Sequence, residues 1–158
     1  MKGACDKMAL AVASGFRGMR RGEGGPFGAC IVRKGRILAM AHNTVLRSQD
    51  PTCHAEINAI RQASRRLKRF DLSDCEIYST TEPCPMCFSA IHWARIRTLY
   101  FGTSIADVRR RGFNELSLSN RRMKRLGGSR IQIVSRYARA DCLRLLEAWD
   151  RLTTKKVY

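Results

Sequence analysis

The chain carries DPTCHAEINAI at residues 50–60 and, some thirty residues after its histidine, TEPCPMC at residues 81–87. His54, Cys84 and Cys87 make up the kind of ligand set that zinc takes in a catalytic centre, where three protein donors leave a fourth position open to water. Glu56 is not needed as a ligand, so it is free to move protons. Cys84 and Cys87 are three apart and share a face if they begin a helix, for which Pro85 is well placed in the first turn. The unpaired N–H groups and positive dipole end of that helix favour thiolates. His54 falls in the first turn of a second helix, at whose open end His54 and Glu56 can both approach a group placed off the terminus.

Outward from these segments, helical and extended stretches alternate. A first helix is expected from about Ala4 to Arg21, with Met8, Val12 and Phe16 at helical spacing. GEGGPFGA turns into a strand, and FGACIV, Lys34-Gly35 and ILAMAH read as a β-hairpin. Asn43 to Thr52 reads as a loop, and the helix bearing His54 runs from about Cys53 to Arg69. CEIYST is a third strand, PMCFSAIHWAR a third helix and RTLYFG a fourth strand. A short helix and a loop are expected between about Thr103 and Leu126. RIQIVS is a fifth strand, and Ala138 to about Leu152 a last helix, with Leu143, Leu146 and Trp149 on one side. Strands alternating with helices imply a sheet covered on both faces. The expectation for residues 1–158 is a single α/β domain.

The length of 158 residues suits one core, and 44% hydrophobic residues exclude a chain disordered by composition. No apolar run is long enough to span a membrane. The N-terminus reads as an amphipathic helix and not as a signal peptide, so a cytoplasmic protein is expected. Of seven cysteines, those outside the metal set (Cys5, Cys30, Cys53, Cys75 and Cys142) read as small buried hydrophobes in a reducing compartment. A net charge of +17 draws polyanions. The basic residues lie in separate segments with no aromatic ladder between them, so a solvated basic surface is preferred to a nucleic-acid partner.

H-x-E followed by P-C-x-x-C is the pattern of zinc-dependent nucleobase deaminases. Zinc lowers the pKa of a bound water, and Glu56 takes and delivers protons as an amino group is replaced by oxygen. The competing reading is a closed structural zinc, which needs a fourth protein ligand; His42 and Cys53 are the candidates nearest in sequence. A zinc-stabilised, non-catalytic nucleic-acid-binding module is the corresponding non-enzyme, and has no use for Glu56. His92 reads as a surface or packing residue. Trp93 is either core or pocket wall. Phe27 either walls a flat ring or packs the first strand.

GGPFGACIV, DPTCHAEINAIR, EPCPMC, AIHWAR, GFNE and EAWDRLTTKKVY occur in this order. With them the chain resembles the cytidine-deaminase-like superfamily and, within it, the bacterial guanine deaminases. The resemblance implies a three-layer α/β/α sandwich around a five-stranded mixed sheet and one Zn2+ per chain. It implies hydrolytic deamination of guanine to xanthine and ammonia, with Asn43 and Glu115 contacting the purine. A carboxylate at Glu115 suits guanine, whose N1–H and 2-amino group are both donors. Relatives often carry aspartate there, and a carboxylate also where Asn114 stands; Thr81 replaces a frequent cysteine. The resemblance further implies a homodimer in which residues 138–158 pack on the partner subunit, so that Tyr158 closes the neighbouring site. The alternatives are a tRNA adenosine deaminase, which +17 would suit, and a guanosine, other aminopurine or triazine deaminase.

Overall fold

The computed structural model describes residues 6–158. Cys5 and the expected helix start at Ala4 lie outside the described residues. The elements in chain order are α1 (Lys7–Arg20), β1 (Gly28–Arg33), β2 (Arg36–His42), α2 (Val45–Ser48), α3 (Ala55–Leu67), β3 (Cys75–Thr81), α4 (Pro85–Trp93), β4 (Thr98–Thr103), α5 (Ile105–Arg109), α6 (Asn120–Gly127), β5 (Gln132–Val134) and α7 (Arg139–Asp150).

The strands form one five-stranded sheet in the order β2-β1-β3-β4-β5. β1 runs antiparallel to both β2 and β3, whereas β3, β4 and β5 are parallel, so the sheet is mixed. The β1–β2 hairpin closes through Lys34 and Gly35, both at positive φ (47° and 75°), as a two-residue turn that matches strand twist requires.

Alternation along β1 divides the core. Ala29 and Ile31 face α3 and α4, packing with Ala55, Ala59, Phe88 and Ile91. Cys30 and Val32 face the other side, where Met8 and Ala11 of α1 and Cys142 of α7 cover them. The α/β/α sandwich is therefore present. α1 approaches the sheet closely: a Cβ on Gly28 would lie 1.9 Å from the Ala11 carbonyl oxygen. This closeness selects the small residues Ala11, Ser14, Gly15 and Gly18 in the middle of the buried side of α1, with Met8 and Met19 toward its ends, while Val12 and Phe16 are only half-buried.

Three details differ from the sequence reading. The stretch read as a loop after Asn43 contains the short helix α2. A second helix, α6, follows α5; Ser119 caps its first turn by accepting from Arg122 N at 3.3 Å. α7 buries Cys142, Leu145, Leu146 and Trp149, whereas Leu143 is half-buried. The expected packing of residues 138–158 on a partner is not needed to bury α7. Leu145, Leu146 and Trp149 pack with Met19 of α1, Val108 and Phe113 of their own chain. No helix among the described residues is long and apolar enough to cross a membrane.

Candidate active site

Two helix N-termini meet at one end of the sheet. His54 is the N-cap of α3, and Cys84 is the N-cap of α4, with Pro85 at its first helical position. Neither residue caps its own helix through its side chain. Both side chains point instead to a common place off the helix ends, where Cys87, one turn into α4, joins them. His54 Nδ1 lies 3.6 Å from the Sγ of Cys84 and 3.6 Å from that of Cys87. The three donor atoms all lie within 4.8 Å of one another. Zinc bonds of about 2.3 Å to sulfur and about 2.0 Å to nitrogen, set tetrahedrally, place N and S about 3.5 Å apart, so this donor set fits zinc.

The fourth ligand that a closed structural site would require is not among the described residues. His42 Nε2 is held by Glu23 Oε2 at 2.5 Å, and Cys53 lies beside Arg61, 3.6 Å from its Nη1. Neither belongs to the donor cluster.

Electrostatics distinguish the two cysteines. The Cys84 thiol is pushed down to about 4, first by the hydrogen bond from Cys87 and then by His54. Cys87 is raised because its proton serves Cys84 and because it is buried. Thiolates are what a metal binds, and two helix N-termini favour them.

Glu56, in the first turn of α3, is buried beside this cluster, and burial raises its carboxyl above the usual range. Ser79 Oγ on β3 lies 2.9 Å from Glu56 Oε1 and 2.7 Å from the Thr81 carbonyl oxygen. Nothing in the sequence singles out Ser79: it is one hydroxyl in a strand rich in them.

A cavity of about 370 Å³ opens against these groups, lined by His54, Cys84, Phe27, Phe113, Glu115 and Tyr158 among others. Phe27 is thus a pocket wall, set edge-on to Phe113 with ring centroids 5.2 Å apart. Glu115 is half-buried in the pocket lining; burial and the negative charge of Cys84 push its carboxyl up to about 7.

Tyr158 lies in the pocket of its own chain. Its hydroxyl accepts from Gly25 N at 3.1 Å with the Asn43 side chain beside it, and its ring meets Phe113 edge-on at 5.5 Å. Asn43 is buried, and its Oδ1 accepts from Val45 N at 3.0 Å, so it shapes the turn after β2 as well as touching Tyr158. Trp93 is neither core nor pocket wall: it is 79% exposed on the outer side of α4.

Two buried polar side chains brace the cysteine segment. Glu82 accepts from Asn120 N at 2.9 Å and from Ile105 N at 3.3 Å, and Asn120 Nδ2 donates to the Pro83 carbonyl at 2.6 Å. The residues leading into Cys84 are thereby tied to the start of α6, just after the loop that bears Glu115.

Together the fold and the metal-type donor set with a buried carboxylate define a deaminase of the zinc type. The model of the cytidine and deoxycytidylate deaminase zinc-binding region matches residues 1–103, and the chain belongs to that family. It is 37% identical to the guanine deaminase of Bacillus subtilis over 148 residues, 94% of either chain. It superposes on a guanine deaminase from Nitrosomonas europaea with a TM-score of 0.84 at 27% identity, covering 92% of this chain and 84% of that one. A solved structure from work on tRNA:A34 deaminases gives a TM-score of 0.76 at 30% identity, covering 88% and 97%.

Proposed function

We propose that this deaminase uses one zinc ion, held by His54, Cys84 and Cys87, to convert guanine and water to xanthine and ammonia. Bound zinc would supply a water of lowered pKa. Glu56 is placed to take a proton from the attacking water as its oxygen bonds to the amino-bearing ring carbon, and to pass that proton to a ring nitrogen. Glu56 then takes the second proton and gives it to the departing amino group, so the carbon–nitrogen bond breaks with loss of ammonia. Ser79 aims the carboxylate, and Phe27 and Phe113, in contact with each other, wall the flat base. Glu115, ionised, accepts from the N1–H and amino donors of the guanine edge.

The observation that carries the choice of a free base is the seat of Tyr158. Its ring and Phe113 line a small cavity whose wall also carries an acceptor, Glu115. The likeness to the Bacillus subtilis enzyme along nearly the whole chain supports the same choice.

A second reading, deamination of adenosine in tRNA, is favoured by the net charge of +17 and by the tRNA:A34 deaminase superposition. Release of ammonia from guanine, guanosine, adenine, cytosine and a tRNA anticodon stem separates the two. Guanine should react fastest. An active anticodon stem with inert guanine would overturn the guanine assignment.

The free cysteines suit a reducing cytoplasm. A homodimer is part of the proposal, checked by the protein's mass in solution. We infer that each subunit closes its own site with its own Tyr158.

A further inference from the structure

A neutral purine does not require a protein carrying +17. Read along the chain, the arginines are scattered, but the fold gathers four of them. β2 is an edge strand, with α1 on one face of the sheet and α3 on the other. Along that edge runs a cleft of about 300 Å³, lined by Arg17 of α1, Arg47 of α2, and Arg61 and Arg65 of α3. Ser48 and Gln62 add neutral hydrogen-bonding groups, and the lining contains no aspartate or glutamate.

Only Arg47 is ion-paired, with Glu23 Oε2 at 3.2 Å, and that carboxylate is shared with His42. Arg61 touches the Cys53 sulfur at 3.6 Å and acts on Asp50 through its charge without pairing. The side chains of Arg17 and Arg65 have neither an ion-pair nor a hydrogen-bond partner among the described residues. Guanidinium groups from three elements thus share a concave space, and one carboxylate, Glu23, pairs with one of the four, leaving a surplus of positive charge that focuses potential there.

We propose that this edge cleft binds phosphate oxyanions, borne by a nucleotide or by an RNA backbone. The planar fork of arginine matches phosphate geometry, and charge-assisted bonds of this kind are the strong ones. The cleft is distinct from the deaminase pocket. Cys53 lines the cleft and His54 lines the pocket, so the two lie on either side of one segment. That segment is held by Asn58, whose Nδ2 is 3.0 Å from the His42 carbonyl, 3.0 Å from Thr44 Oγ1 and 3.2 Å from the Cys53 carbonyl.

The test is calorimetric titration of the zinc-loaded full chain with uridine triphosphate and, separately, with a short oligouridine. Neither probe has an exocyclic amine, so neither can report deamination. Arg17→Ser combined with Arg65→Ser removes, from opposite sides of the cleft, the two cations whose side chains have no partner among the described residues. This pair should weaken binding about tenfold or more, given the strength of charged hydrogen bonds. Arg122→Ser combined with Arg125→Ser on α6 removes the same charge elsewhere and should stay within about twofold of the parent. Tight triphosphate binding identifies a nucleotide source. Binding of oligouridine alone, with a steep salt dependence, identifies RNA. Equal losses in the two double variants, or binding of neither probe by the parent, would overturn the proposal. Guanine turnover, measured in parallel, fails or survives independently of these outcomes.

Discussion

Glu56 and Ser79 form a pair whose hydrogen count is informative. A serine hydroxyl has one proton, yet Ser79 Oγ is within bonding distance of both Glu56 Oε1 and the Thr81 carbonyl. It can donate to Glu56 while that group is a carboxylate, and to Thr81 while Glu56 holds a proton and donates to the hydroxyl. The site therefore keeps a good partner for Glu56 in both protonation states. Glu56→Ala should retain metal and lose turnover by on the order of a hundredfold or more, as removal of a positioned acid/base does. Ser79→Ala should retain Glu56's chemistry but loosen its aim, with a smaller loss of roughly tenfold at unchanged metal content. Near-normal turnover in Glu56→Ala would remove it from the mechanism. Glu115 supplies a pH prediction. Its carboxyl is raised to about 7, so on the acid side it holds a proton and cannot accept from both guanine donors. The KM for guanine should fall as pH rises through about 7, and Glu115→Gln should weaken guanine turnover and abolish that dependence. A variant that keeps the same pH limb would place the titration elsewhere.

Helix ends decide this site more than helix faces do. α3 and α4 deliver His54 and Cys84 as N-caps whose side chains leave their own backbone N–H groups uncapped. A metal ion there would join two helix termini, so the cost of assembling the site is borne by the packing of both helices on the sheet. Purified protein should carry about one zinc per chain, and Cys84→Ala or Cys87→Ala should lose most of it. Full metal retention in both variants would dismiss the assignment. These ligands were legible because chemistry fixes their spacing: a histidine two before a carboxylate, and cysteines one helical turn apart. Trp93 was not, because α4 is apolar around most of its circumference and only the packed helix reveals the inner side. Cys87, Phe88 and Ile91 take that side, and Trp93, two residues past Ile91, falls opposite. α6 was obscured by its own charge: Met123 alone of its side chains packs on the core as a partly buried hydrophobe. Glu115 sits in a loop without periodicity, where only the resemblance to a family pointed to it. The sheet, by contrast, was readable strand by strand, since β-branched and apolar runs are bounded by turn residues throughout.

At the scale of the whole molecule, the question is how the chain past Asp150 reaches the pocket. Lys155 Nζ donates to the Asp150 carbonyl at 2.6 Å, which turns the tail back just after α7. Asn114 N then meets the Tyr158 carbonyl at 3.4 Å, and the tyrosine hydroxyl meets Gly25 N. The tail therefore spans from the end of α7 to the Glu115 loop and on to the turn before β1 within one chain. Exchange between two copies would make the same contacts across subunits, at little cost, so an essential Tyr158 does not distinguish the arrangements. Deleting Tyr158 should slow guanine turnover without loss of metal, because the pocket loses part of its wall and admits water. Co-expression with Glu56→Ala separates the two cases. In an exchanged heterodimer, one site would receive both an intact Glu56 and an intact tail, and about half the sites would work. With each tail serving its own subunit, every site in the heterodimer lacks one of the two groups. We therefore expect tagged heterodimers to be no more active than the two parents, and half-active heterodimers would establish exchange in their place.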